Sequence, residues 1–209
     1  MKLYVIRHGE TTWNTQARLQ GMSDIPLNDN GVSLARKTGE AMRDIPFTRI
    51  YTSPLKRAVQ TAELVAGGRQ IPVVIEDRIR EISFGEWEGL SCSRDNYEIP
   101  SDSFEQFFRD PFQFDPPKGG ESVLEVCRRT EHFLDELLQE PGNEQETILL
   151  STHGCTLRAL MNYFYQDFTS SFWRGHVPPN CGVSIVEVKD GTADVLEEDR
   201  IYYREESDV

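Results

Sequence analysis

Met1-Lys2-Leu3-Tyr4-Val5-Ile6-Arg7-His8-Gly9-Glu10-Thr11-Thr12-Trp13-Asn14 opens the chain. Leu3 to Ile6 form an apolar run rich in β-formers, the composition of a buried strand. The run stops abruptly at Arg7-His8-Gly9. An imidazole beside a guanidinium therefore sits where a strand leaves its sheet. In α/β folds, ligands bind at that edge, outside the carboxyl ends of the strands. Taken alone, a histidine after a strand is more often a hydrogen-bonded structural residue, and histidine is also the commonest metal ligand. The remaining chain must bring further charge to the same edge for His8 to be functional.

It does so at two places. Thr147-Ile148-Leu149-Leu150 reads as another buried strand and runs into Ser151-Thr152-His153-Gly154-Cys155-Thr156, with a helix expected over Leu157 to Tyr165. This repeats the opening pattern of strand, His-Gly and turn. Arg49 to Thr52 reads as a short strand followed by Ser53-Pro54, a strong helix start in which Ser caps and Pro suits the first turn. That helix is expected to end at Gly67-Gly68. Its first turn carries Lys56 and Arg57 and no acid, the wrong sign for the helix dipole, costing roughly 0.3–1 kcal/mol per charge. A bound anion would offset this; the alternative is that both cations point into solvent.

Between these points the chain alternates elements. Thr12 to Asp24 reads as a loop. A helix is expected over Gly31 to Arg43, with Leu34, Ala35, Thr38, Ala41 and Met42 on one face and Asn28 or Asn30 as its cap. Ile71 to Ile75 reads as a strand. Arg78 to Gly89 looks like a loop pressed against the body, with Glu81 among Ile79, Ile82 and Phe84, while Glu86 and Glu88 are expected in solvent. Leu90 to Gly120 interleaves Tyr97, Phe104, Phe107, Phe108, Phe112 and Phe114 with Asp, Ser and Pro. It reads as an aromatic-rich lid insertion (90–120) with one helix near Ser103 to Arg109, or else as a satellite apolar cluster with no functional role. Glu121 to Glu140 has the clearest amphipathic stripe, leaving His132 on the polar side. His176 is expected on a surface loop. A hairpin around Asp190-Gly191 precedes Arg204 to Val209, expected to be frayed.

With 209 residues the chain is expected to form one domain, 1–209. No apolar run approaches the roughly 18 residues that span a bilayer, and no signal peptide is read at the N-terminus, so the expected location is cytoplasmic. A formal charge of −13 argues against a nucleic-acid binder but leaves room for a small anionic substrate at a local arginine cluster. Cys92, Cys127, Cys155 and Cys181 show no zinc-like spacing and read as reduced thiols. Neither a metal site nor a cofactor is expected. A homodimer stays open.

Arg7-His8-Gly9-Glu10-Thr11 with Asn14, Ser53-Pro54-Leu55-Lys56-Arg57-Ala58 with Gln60-Thr61-Ala62, Glu81 with Gly85, Trp87, Glu88 and Gly89, and Ser151-Thr152-His153-Gly154 resemble the histidine phosphatase superfamily, in its phosphoglycerate-mutase-like branch. The resemblance implies a three-layer α/β/α sandwich around a mainly parallel sheet. It implies that His8 is the nucleophile, that Arg7, Asn14, Arg57 and His153 hold the phosphate, and that Glu81 is the general acid and base. Gln20 and Gly21 match a loop lining the substrate side. The implied activity is metal-independent hydrolysis of small phosphate monoesters, an α-ribazole phosphate or sugar phosphate among them, through a phosphohistidine. Mutases of this branch typically carry a longer, more basic insertion. Here it holds only Arg94, Arg109 and Lys118 as cations, which favours water as acceptor over a phosphoglycerate mutase. A non-catalytic regulatory module is the remaining alternative.

Overall fold

A computed structural model describes residues 1–100, 102–165 and 172–203; the expectation for Arg204 to Val209 falls outside them. In chain order the elements are β1 (Lys2–Arg7), α1 (Thr12–Thr15), α2 (Asp29–Ala41), β2 (Arg49–Thr52), α3 (Lys56–Ala66), β3 (Val73–Ile75), β4 (Cys92–Ser93), β5 (Asn96–Tyr97), α4 (Phe104–Arg109), α5 (Val123–Gln139), β6 (Thr147–Thr152), α6 (Gly154–Phe164), β7 (Val183–Lys189) and β8 (Thr192–Arg200). The main sheet runs β3-β2-β6-β1-β7-β8. Strands β1, β2, β3 and β6 are mutually parallel, and the β7–β8 hairpin adds an antiparallel edge. The fold is the expected α/β sandwich.

The opening run is apolar throughout because β1 is covered on both faces. Leu3 and Val5 pack with Phe133, Leu134, Leu157 and Leu160 of α5 and α6. Tyr4 and Ile6 pack with Ala35, Ala62 and Val65 of α2 and α3. Each fully buried aliphatic side chain of this kind contributes about 1.5–3 kcal/mol. In β6, Ile148 and Leu150 face the first cluster and Leu149 the second. Strand β1 is aligned with β6 so that Arg7 lies opposite Thr152, and His8 and His153 emerge side by side.

Several expectations are corrected. Thr12 to Asp24 is not all loop: Thr12–Thr15 is a helical turn closed by a reciprocal capping box between Thr11 and Asn14. Ala41 is exposed, and the buried face of α2 is Gly31, Ala35, Thr38 and Gly39. Helix α6 starts at Gly154, three residues earlier than expected, so its N-terminus lies at the sheet edge itself. Asn28 caps α2 as expected, accepting from the Gly31 N–H. Ser53 does not cap α3; Leu55 holds that position with no side-chain bond. The missing acid comes from a distant loop, since Asp24 accepts the Lys56 N–H at 2.7 Å and pairs with the Lys56 ammonium at 3.1 Å.

The insertion forms a small hairpin and α4. Phe104, Phe107 and Phe114 are buried with Phe84, Trp87 and Trp173 in a third apolar cluster, while Phe108 and Phe112 stay half exposed.

Helix α2 is pressed onto the loop after β1. A Cβ on Gly31 would lie 2.0 Å from the Glu10 carbonyl oxygen, and one on Gly9 would lie 2.7 Å from the Gly31 carbonyl oxygen. Backbone meets backbone here, so neither partner can rotate away. Gly31→Ala is expected to destabilise the protein by about 1–3 kcal/mol, read as a fall in the urea midpoint, whereas Ser33→Ala on the exposed face of the same helix should leave the midpoint unchanged.

Candidate active site

Four segments meet at the carboxyl edge of β1, β2 and β6. The rings of His8 and His153 have centroids 5.2 Å apart, and both side chains are buried. His8 Nδ1 is 2.7 Å from the Gly9 carbonyl oxygen. A carbonyl oxygen only accepts, so Nδ1 carries the proton and Nε2 keeps its lone pair. Gly9 is in turn anchored to α3: its N–H donates to Thr61 Oγ1, which donates to the Arg57 carbonyl oxygen.

Arg57 is completely buried at the start of α3. Its Nε donates to His153 Nδ1 at 3.1 Å, and its two terminal nitrogens donate to the carbonyl oxygens of Ser23 and Gly21 at 2.7 Å each. Three of five guanidinium N–H bonds are thereby used, and two remain for a ligand. Burial lowers the Arg57 pKa to about 10, with Glu81 and Asp24 acting against it, so the group stays cationic at neutral pH. Since Arg57 can only donate, His153 accepts at Nδ1, and its Nε2–H donates to Ser53 Oγ at 2.7 Å. Both nitrogens of His153 are therefore engaged, and Ser53 supports this ring rather than a helix.

Arg7 donates from one terminal nitrogen to the Pro178 carbonyl oxygen. Its Nε is buried without a hydrogen-bond partner among the described residues, a donor arrangement that suits an anion. A Cβ on Gly154 would stand 3.7 Å from that Nε and 3.8 Å from Glu81 Oε2, so the glycine keeps the space between them open.

The Glu81 carboxylate does not lie in an apolar pocket. It rests on the N-terminus of α6, accepting from the N–H groups of Cys155 at 3.3 Å and Thr156 at 3.2 Å and from its neighbour Ile82 at 3.0 Å, while the Thr156 hydroxyl gives its proton to the Arg80 carbonyl oxygen at 2.6 Å. No salt bridge to Arg78 or Arg80 forms: these pair with Glu76 and Glu136, and with Asp77 and Glu121.

Asn14 and Gln20 are joined through Thr11. Asn14 Oδ1 receives the Thr11 N–H at 3.0 Å, and the Thr11 hydroxyl is shared between Asn14 and Gln20. Gly21 has φ +50°, and a Cβ there would strike Glu88 Oε1 at 2.2 Å. Glu88, expected in solvent, instead accepts from Met22, Ser23 and Phe84 and fixes the loop whose carbonyls hold Arg57. Sequence reading also missed the stretch from Val177 to Cys181, which contributes Pro178 and Asn180. Its only local signal is the Pro-Pro-Asn turn. His176 is exposed as expected and pairs with Asp199 at 2.9 Å. Cys155 is a buried packing residue. Among the described residues no group of three or more His, Cys, Asp and Glu could hold a metal ion, and no helix is long and apolar enough to cross a membrane. A cavity of about 600 Å³ is lined by Arg7, Glu10, Lys37, Asn180 and Tyr203.

An α/β sandwich with two buried imidazoles near one buried and one partly buried arginine, at the carboxyl edge of a mainly parallel sheet, is a site built to receive an anion. The family model of the histidine phosphatase superfamily (branch 1) matches residues 3–199, and the chain belongs to that superfamily. Phosphoserine phosphatase 1 of Hydrogenobacter thermophilus is 32% identical over 83% of this chain and 80% of its own length. A probable phosphoglycerate mutase, GpmB, of Erwinia tasmaniensis is 32% identical over 78% and 74%. The structure of Bacillus stearothermophilus YhfR superposes with a TM-score of 0.85 at 35% identity, covering 95% of this chain and 96% of that one.

Burial, then the Arg57 charge, holds both imidazoles well below their ordinary pKa; Arg7 lowers His8 further, and His8 lowers His153. Below pH 6.5 the unfolded chain therefore binds protons that the folded one refuses. Stability present above pH 6.5 is lost as pH falls toward the folded pKa values, at up to about 1.4 kcal/mol per pH unit for each ring. Urea midpoints of His8→Asn measured from pH 7.5 to 5 should fall less steeply than those of the wild type.

Proposed function

We propose that the protein is a phosphomonoesterase that works through a covalent phosphohistidine on His8, without a metal and with water as final acceptor, the whole chain (1–209) acting as one domain. The observation that carries this reading is the Gly9 carbonyl bond to His8 Nδ1. It leaves a neutral Nε2 lone pair on a ring that feels the charges of Arg57 and Arg7, and a neutral imidazole is a competent nucleophile near pH 7.

In the first step Nε2 attacks phosphorus and the ester oxygen departs with a proton from Glu81, which the negative charge of the phosphate bound beside the carboxylate keeps protonated in the complex. In the second, water attacks phosphorus in line with the phosphorus–nitrogen bond, forming a P–O bond as the P–N bond breaks. Glu81 takes a proton from that water, and Nε2 is released with inorganic phosphate. Glu81 is thus returned to its protonated state. Charge spreads over the equatorial oxygens during both transfers. The free N–H bonds of Arg57, the orphan Nε of Arg7 and the Asn14 amide are the donors assigned to those oxygens, since fixed donors act most strongly where charge develops. A phosphate contact from His153 would replace its bond to Ser53, so its first task in this scheme is to orient Arg57. Gln20 and Gly21 line the substrate side, and the aromatic insertion serves as a rim or lid. Its half-exposed Phe108 and Phe112 favour esters with ring or apolar character.

Wild-type protein is expected to release phosphate from p-nitrophenyl phosphate at the same rate with and without EDTA. His8→Ala should abolish release; activity equal to wild type in that variant would remove the covalent mechanism. Glu81→Gln should lower kcat by about 10²–10⁴-fold on alkyl phosphates, and by less on p-nitrophenyl phosphate, whose phenolate leaves with little help. A panel of phosphoserine, 3-phosphoglycerate, sugar phosphates and α-ribazole phosphate, compared by kcat/KM, identifies the ester. Interconversion of phosphoglycerates in place of hydrolysis would indicate a mutase.

A further inference from the structure

The stretch from Pro178 to Cys181 touches three residues of the opening motif, Arg7, His8 and Asn14. The Pro178 carbonyl oxygen receives Arg7. The Cys181 N–H lies 3.0 Å from the Arg7 carbonyl oxygen and 3.4 Å from that of His8. The Asn180 side-chain Nδ2 donates to the His8 carbonyl oxygen at 3.0 Å and lies 3.5 Å from Asn14 Oδ1. Asn180 is itself held, because its carbonyl oxygen receives the Tyr203 hydroxyl at 2.8 Å.

We infer that Asn180 is a positioning residue that, with one amide group, completes the restraint on the tautomer of His8 and orients Asn14. The His8 carbonyl belongs to the peptide joining His8 to Gly9. Thr61 Oγ1 holds the N–H end of that peptide and Asn180 its oxygen, so the two together fix its plane, and the next plane carries the Gly9 oxygen that holds His8 Nδ1–H. Asn14 is constrained in the same way. Its Oδ1 faces donors from Thr11 and Asn180, so its Nδ2 is turned toward a ligand. Sheet pairing does not supply this restraint, since the β1–β6 register ends at Arg7 and the β1–β7 register at Ile6. The catalytic part of the inference rests on the phosphohistidine reading; the tautomer part does not.

Asn180→Asp keeps the shape and replaces the NH₂ donor by an oxygen facing two acceptors; Asn180→Ala removes the donor without adding charge, in case the first variant folds poorly. Both are compared with the wild type by imidazole ¹⁵N NMR and by kcat and KM for p-nitrophenyl phosphate. The wild type should show His8 as the Nδ1–H form. The variants should show a mixture of tautomers, with kcat lowered on the order of 100-fold, as for a misplaced reacting group, and KM changed far less. His8 remaining wholly Nδ1–H in both variants would overturn the inference, as would a wild type dominated by Nε2–H. A wild type with the expected tautomer and no phosphatase activity would instead overturn the phosphohistidine reading while leaving the NMR comparison decisive for Asn180.

Discussion

A peptide oxygen cannot donate, and the contact of 2.7 Å between Gly9 and His8 Nδ1 therefore dictates which nitrogen of a buried ring is free. Much of the surrounding construction serves that contact. Gly9 is tied to α3 through Thr61, crowded from the other side by the backbone of Gly31, and joined to a strand buried on both faces. The tight backbone packing explains why glycine occupies both positions: any side chain would push the accepting oxygen away from the ring.

Charge reinforces the same state. Two arginines at a buried site are costly by themselves, because desolvation penalises each and they repel one another. The cost is moderated locally. Arg57 is held by two loop carbonyls and His153, and Glu81 offsets both cations electrostatically. Burial, and after it these cations, keeps the imidazoles uncharged. A site so arranged carries unpaired N–H donors in its ground state and gains most when an anion arrives, which is the electrostatic preorganisation that phosphoryl transfer requires.

The parts legible in the sequence are those with local causes. The apolar runs of β1 and β6, the amphipathic stripe of α5 and the glycine stop after α3 follow from burial and backbone geometry over a few neighbouring residues. The two His-Gly turns converge as expected because parallel pairing of β1 with β6 brings their ends level. What escaped were polar bonds between distant segments. Ser53 has the sequence of a helix cap yet supports His153, while Asp24, 32 residues before Lys56, neutralises the helix start. Glu88 looks like a solvated acid among Gly and Glu, yet it staples the loop around Gly21. Asn180 lies 172 residues from His8, and nothing in a Pro-Pro-Asn turn indicates which carbonyl it will meet. Helix α6 begins early for a related reason: its first N–H groups are satisfied by the Glu81 carboxylate, a cap supplied from elsewhere in the chain.

The proposed nucleophile is the Nε2 atom of a neutral His8. Rapid quenching of the protein with a phosphate monoester, followed by mass spectrometry of the peptide containing Arg7-His8-Gly9 and ³¹P NMR of the phosphoenzyme, tests it most directly. The account requires an acid-labile, base-stable phosphoryl group on Nε2 of His8; a turning-over enzyme with no phosphoenzyme, or one phosphorylated at Nδ1 or on His153, would contradict it.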